Sequence, residues 1–157
     1  MRETWLDEID LRVLGQLQRH STITNDRLSE VAHLSPPQCH RRVKKLTKAG
    51  VIKKTVALLD RHKMGFDLMA LVSIVRDKKN HAGMREFENA ISRFPQIVEC
   101  YALTGEFDYM LKVVAPDLET FSSFLRDDLL RLPGISAART SICLQEIKSS
   151  TELPIRP

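Results

Sequence analysis

Five cations and a histidine crowd one short stretch: His40, Arg41, Arg42, Lys44, Lys45 and Lys48 fall within nine residues. No acidic residue occurs between Ser35 and Lys54. Solvated helix faces ordinarily mix signs, because like charges one turn apart repel. A face of one sign is suited to a polyanion, and lysine and arginine at this density are phosphate-holding chemistry. A second stretch, Thr104-Gly105-Glu106-Phe107-Asp108-Tyr109, brings two carboxylates into one tight turn. Hairpin chemistry accounts for Gly105. It accounts less well for Glu106 and Asp108, which repel each other unless a cation lies close, and such a turn suits an ammonium-bearing ligand. Catalytic chemistry is poorly served. The histidines, His20, His33, His40, His62 and His81, lie at expected helix ends, in turns or on the basic stretch. None has a metal-ligand spacing or the neighbour that nucleophilic catalysis requires. The three cysteines, Cys39, Cys100 and Cys143, are far apart, which argues against a metal site or a disulfide framework. We therefore expect no enzyme, no metal and no cofactor.

The basic stretch needs a helix to present it, and the sequence supplies one. Ser35 with Gln38 three residues on forms a capping box, and Pro36 takes the first helical position, where its missing N–H costs nothing. Cys39, Val43 and Leu46 recur at i, i+4 and i+7, one apolar face, and Gly50 provides a left-handed stop. Two helices precede it. The first starts at Asp7, buries Ile9, Val13, Leu14 and Leu17, and is spent by His20-Ser21. The second is capped by Thr24, shows Leu28, Val31 and Ala32 on its apolar face, and ends at His33. The short turn between the second and third helices is that of a helix-turn-helix, whose last helix lies in the major groove. Val51 to Leu59 reads as a wing-like strand leading out of this module. We expect Ser35, Pro37, Gln38, His40, Arg41, Arg42, Lys44, Lys45 and Lys48 to face double-stranded DNA. Base edges would be read near the helix start by Pro37, Gln38 and Arg41.

Charge supports a division of labour. Residues 1–60 hold 11 Lys+Arg against 7 Asp+Glu, whereas residues 61–157 hold 13 of each, so the whole excess of +4 lies in the first part. An apolar fraction of 43% with 28% charged residues is that of a soluble globular chain. No apolar run approaches the ~20 residues that cross a bilayer. Met1-Arg2-Glu3-Thr4-Trp5 has no apolar signal-peptide core. A reducing cytoplasmic setting without membrane contact is the expectation.

Beyond the turn Asp60–Gly65 the pattern changes, which sets expected domains at 1–60 and 61–157. Leu68 to Arg76 alternates as a strand. A helix follows with Met84, Phe87, Ile91 and Phe94 inward, stopped by Pro95. Ile97 to Leu103 and Asp108 to Ala115 are strands around the Gly105 turn. Asp117 caps a helix with Phe121, Phe124, Leu125 and Leu129 inward, and Ile135 to Ile147 is a last strand. The order βαββαβ is the ferredoxin-like motif. The fold class is therefore α+β, a winged helix-turn-helix followed by a ferredoxin-like domain. Lys148 to Pro157 reads as a tail. Val98, Tyr101, Leu103, Leu111 and Val113 are apolar enough to bury against a partner copy. Ferredoxin-like sheets also bind RNA, but those stack bases on central-strand aromatics. Only Tyr101 and Tyr109 are available, so RNA binding is the weaker alternative, as is a non-catalytic ligand-binding enzyme subunit.

Over nearly its whole length the chain resembles the Lrp/AsnC, or feast/famine, regulators. The resemblance rests on Leu6-Asp7 with Ile9-Asp10, Leu28-Ser29, Leu34-Ser35-Pro36 with Cys39 and Arg42-Val43, and Ala49-Gly50-Val51-Ile52. In the second half it rests on Val98-Glu99-Cys100-Tyr101, Thr104-Gly105, Phe107-Asp108-Tyr109 and Leu132-Pro133-Gly134-Ile135. It implies homodimers through the second domain, often assembled to octamers, and small effectors that are usually amino acids. It also implies an effector site between subunits at the turn around Gly105 and Asp108, with Thr104, Glu106 and Tyr109 as neighbours and Ser141 on the last strand. Many members carry Asp where this chain has Glu106.

Overall fold

A computed structural model describes residues 6–77 and 80–155, the side chains of His81, Ala82 and Met84 excepted. The inward place expected for Met84 thus lies outside the described residues. The described residues form two compact units. One comprises those up to Leu58 together with those from Lys148 onward, and the other is Leu59–Ile147. The tail, which the sequence reading grouped with the second domain, packs within the first unit.

The first unit is built on three helices, α1 (Glu8–Arg19), α2 (Asn25–Ala32) and α3 (Pro36–Lys48). Each starts where a side chain satisfies an orphan amide. Asp7 Oδ1 accepts from Asp10 N at 2.7 Å, Thr24 Oγ1 accepts from Arg27 N at 3.3 Å, and Gln38 Oε1 accepts from Ser35 N at 3.1 Å. Between α2 and α3 the chain reverses through His33, which takes a left-handed conformation (φ 54°) that glycine normally occupies. Val13, Leu28, Ala32, Cys39 and Leu46 are all at most 2% exposed and form the core. Val31 does not join them, being 40% exposed. The strand expected over Val51–Leu59 carries no ladder. Val51 N and Ile52 N donate to Leu46 O at 3.0 and 3.3 Å and close α3. From Lys53 to Asp60 no described neighbour pairs with the backbone as a strand must be paired.

The second unit is a four-stranded antiparallel sheet of order β2-β3-β1-β4. Its strands are β1 (Leu68–Arg76), β2 (Ile97–Ala102), β3 (Tyr109–Ala115) and β4 (Ile135–Ile142). The helices α4 (His81–Ile91) and α5 (Leu118–Asp127), with a single 3₁₀ turn at Leu129–Arg131, complete the expected βαββαβ order. Alternation along β1 and β3 sends Ala70, Val72, Ile74, Leu111 and Val113 into the core with Phe87, Phe121, Phe124 and Leu129. Leu111 and Val113 are fully buried there, so they are not free for a partner copy, as the sequence reading had them. Val98, Tyr101 and Leu103 are 50, 55 and 39% exposed and remain available. β4 stops at Ile142, five residues short of expectation. Its neighbour β1 begins at Leu68, and the last bond between them is Cys143 N to Met69 O at 2.8 Å. Past that point no described strand pairs with it, and Leu144 and Ile147 are 96 and 83% exposed.

Candidate functional site

The outer face of α3 is the larger candidate. Pro37, Gln38, His40, Arg41, Lys44, Lys45 and Lys48 are exposed along α3, and Ser35 is exposed at its cap. Pro37, Arg41, Lys44 and Lys48 fall at i, i+4, i+7 and i+11, a continuous stripe running from the helix start to its end. Opposite them Cys39 and Leu46 are fully buried, so the helix has one dry side and one cationic side.

Arg42 belongs to neither group. The sequence reading placed it among the DNA-facing cations, but its guanidinium turns to α1. There Nη1 lies 2.7 Å from Asp7 Oδ2 and 2.6 Å from Asp10 Oδ1. Asp10 is 1% exposed, and a buried carboxylate requires a cation or several donors. Arg42 supplies that need and pins the middle of α3 to the first turn of α1. Asp7, held by the amide of Asp10 and by Arg42, has its carboxyl below the usual range. The signal was available in the sequence: position 42 lies three residues after Cys39 and four before Leu46, on the packed side of the helix.

The second candidate is the turn between β2 and β3. Thr104, Gly105 and Glu106 are exposed at its tip. Gly105 has φ 115°, a left-handed backbone that a side chain would strain, although a Cβ there would meet nothing within 4 Å. The base of the turn is fastened to β1. Leu103 N donates to Asp108 O at 2.8 Å and Asp108 N donates to Ile74 O at 2.9 Å. The Asp108 carboxylate accepts from Arg76 N at 2.9 Å and lies 3.2 Å from Arg76 Nε. Asp108 therefore already has a cation. Glu106 is less committed, with a side chain 71% exposed and Arg139 of β4 at 3.8 Å. Arg139 also lies over the Phe107 ring, 5.2 Å from its centre.

Two expected neighbours sit elsewhere. Tyr109 points into the helix-covered side, packs on Phe87 at 5.3 Å between ring centres, and donates to Glu88 Oε1 at 2.5 Å. Burial, with Glu88 beside it, pushes its phenol up to about 12. Ser141 is exposed on β4 opposite Leu71, on the sheet face away from Ala70 and Val72. Arg76 and Arg139 were missed by the sequence reading. They reach the turn only because β1 stands beside β3 and β4 beside β1, an order that spacing along the chain does not reveal.

Among the described residues no cluster of His, Cys, Asp and Glu could hold a metal, and no helix is long and apolar enough to cross a membrane.

Comparison with known proteins matches both units in order. Residues 6–53 fit a winged helix-turn-helix DNA-binding model, and residues 69–153 fit the Lrp/AsnC ligand binding domain. The chain is 41% identical to the transcriptional regulator AzlB of Bacillus subtilis over 150 residues, covering 96% of each chain. It is 36% identical to the leucine-responsive regulatory protein of Escherichia coli over 151 residues, 96% of this chain and 92% of that one. The solved transcriptional regulator NMB0573 of Neisseria meningitidis, in complex with L-methionine, superposes with a TM-score of 0.91 at 37% identity, covering 95% and 96% of the two chains. A basic helix on a helix-turn-helix frame, a ferredoxin-like unit following it in the chain and matches across both halves lead to one conclusion: the chain belongs to the Lrp/AsnC family of transcriptional regulators.

Proposed function

We propose that this regulator grips double-stranded DNA through the outer face of α3, and that an amino acid held at the Gly105 turn changes how strongly it does so. The observation that carries the DNA reading is the exposed stripe Pro37, Arg41, Lys44 and Lys48 on a helix that itself contains no acidic residue. Lys44, Lys45 and Lys48 hold phosphates, and Pro37, Gln38 and Arg41 lie where a recognition helix enters the groove. Ser35 and His40 flank them. Arg42 acts at one remove, by holding α3 on α1. Lys44→Ala should weaken all duplexes alike and reduce the salt slope by about 0.9. Arg41→Ala should lose discrimination between cognate and random duplex by ~1–3 kcal/mol if it meets a guanine.

For the effector, L-methionine bound to the Neisseria meningitidis regulator supports an amino acid as the ligand class. Backbone amides beside Gly105 and the hydroxyl of Thr104 suit a carboxylate. Glu106, the carboxylate with the weaker attachment, suits an ammonium. Asp108 keeps the turn on β1 through Arg76. Tyr109 supports the turn from the helix-covered side, whereas Ser141, level with Leu71 and not with the turn's base at Ile74, lies outside this site. The exposed Val98, Tyr101 and Leu103 suit a homodimer, with octamers built from it. Work in the cytoplasm, by binding and without catalysis, fits the whole.

A further inference from the structure

Within the first unit the chain's own end lies along α1, and the two together wall a cleft of about 520 Å³. The Gln18 side chain reads the backbone of Leu153 from both sides. Nε2 donates to Leu153 O at 2.9 Å, and Oε1 accepts from Leu153 N at 3.0 Å. Arg19 Nε lies 3.4 Å from Glu152 Oε2. The floor of the cleft is Gly15. Glycine inside a helix is otherwise a poor choice, and nothing in the DNA-facing or effector machinery calls for it. Ile155 Cδ1 stands 3.9 Å from where a Cβ of Gly15 would lie, so a bulkier side chain there would fill the space that Ile155 uses. Leu11 and Val31, the latter 40% exposed, also line the cleft.

We propose that the chain's own segment Glu152–Ile155 docks on α1 through Gln18, Arg19 and the open face of Gly15, and so clasps the DNA-binding unit. The two-sided bond from Gln18 fixes the segment's register through its backbone, as an added strand is fixed. The consequence lies in connectivity. The chain passes from one unit to the other at Leu58–Leu59 and returns at Ile147–Lys148. The return passage leaves β4, which carries Arg139, the partner of Glu106, and five residues separate the end of β4 from Lys148. Docked, the segment ties β4 to α1, and Arg42 ties α1 to α3. Released, the DNA-binding unit hangs on a single linker. Docking of the segment does not depend on the effector reading.

Amide hydrogen exchange on the full chain tests it, in the unmutated protein and in Gln18→Ala and Gly15→Leu. Leucine is a better helix former than glycine, so the second variant fills the space that Ile155 uses without weakening α1. The Leu153 amide should exchange roughly tenfold or more slowly than a free chain in the unmutated protein, and at nearly the free rate in both variants. Amides inside α1 should keep their protection throughout. A Leu153 amide that exchanges freely in the unmutated protein overturns the proposal, and so does protection that survives both variants. Protection that falls on dilution would place a second copy's tail on α1 and overturn the intrachain clasp.

Discussion

Arg42→Ala separates holding the fold from holding DNA. The substitution leaves Asp10, 1% exposed, without the cation 2.6 Å away. Breaking a buried pair by removing one partner costs about 3–5 kcal/mol. Arg42 is 26% exposed and Asp7 51%, so water softens the loss and about 3 kcal/mol is the reasonable expectation. A three-helix unit of this size has only about 3–8 kcal/mol to lose. Its melting point should fall by roughly 12–24 °C, read by circular dichroism in the helix band. The paired replacement Asp10→Leu with Arg42→Leu removes both charges and should recover most of that stability. Binding of a duplex across a salt series then gives the second half of the test. If Arg42 serves α1, the paired variant keeps the salt slope of the unmutated protein, whereas Lys44→Ala reduces it by about 0.9. A loss under about 1 kcal/mol in Arg42→Ala, with the slope lowered as for Lys44→Ala, would refute the assignment and return Arg42 to the phosphate-holding face.

Three further outcomes rest on the same geometry. Glu106→Gln should weaken amino-acid binding in calorimetric titration with little change in melting point, whereas Asp108→Asn should also destabilise the second unit by loosening the turn from Arg76; equal melting points for the two would count against that division. Gly15→Ala should stabilise the first unit by about 0.5–1 kcal/mol in urea unfolding, because a Cβ there makes only ordinary contact with Ile155. The Asp7 carboxyl is depressed by the Asp10 amide and by Arg42. Its contribution is therefore complete above the unfolded range near ~4 and is lost as pH falls through the lower native value. Asp7→Asn should flatten that acid limb of the stability profile, and an unchanged limb would show that Asp7 carries none of it.

The fold was legible where local chemistry and periodicity agreed. Asp7, Thr24, Ser35 with Gln38, and Asp117 announce helix starts, and the structure begins helices after each. Alternation through Leu68, Ala70, Val72 and Ile74 marks the core side of β1. What failed was non-local. Composition alone could not supply a ladder partner for Val51–Leu59, so those residues read as a strand and formed none. The end of β4 is set by where β1 begins, which the run to Ile147 conceals. The basic helix was readable as a block, but charge alone did not distinguish Arg42, which has Asp7 and Asp10 across from it, from Lys44 on the outer stripe. At the Gly105 turn the residues were found, but their commitments were not: only the sheet order shows that Asp108 is already paired with Arg76 and that Tyr109 faces Glu88.

In the proposed mechanism one unit binds DNA selectively and an amino acid at the other alters that binding. Fluorescence anisotropy reads both at once, with a duplex selected in vitro set against a random duplex at fixed salt. Each is measured with and without the amino acid that, among the natural set, most raises the melting point. The selected duplex should bind more tightly than the random one, and its affinity should change roughly 5–150-fold on adding the amino acid. Equal affinity for the two duplexes, or an amino acid that binds and leaves the DNA affinity unchanged, would be incompatible with this mechanism.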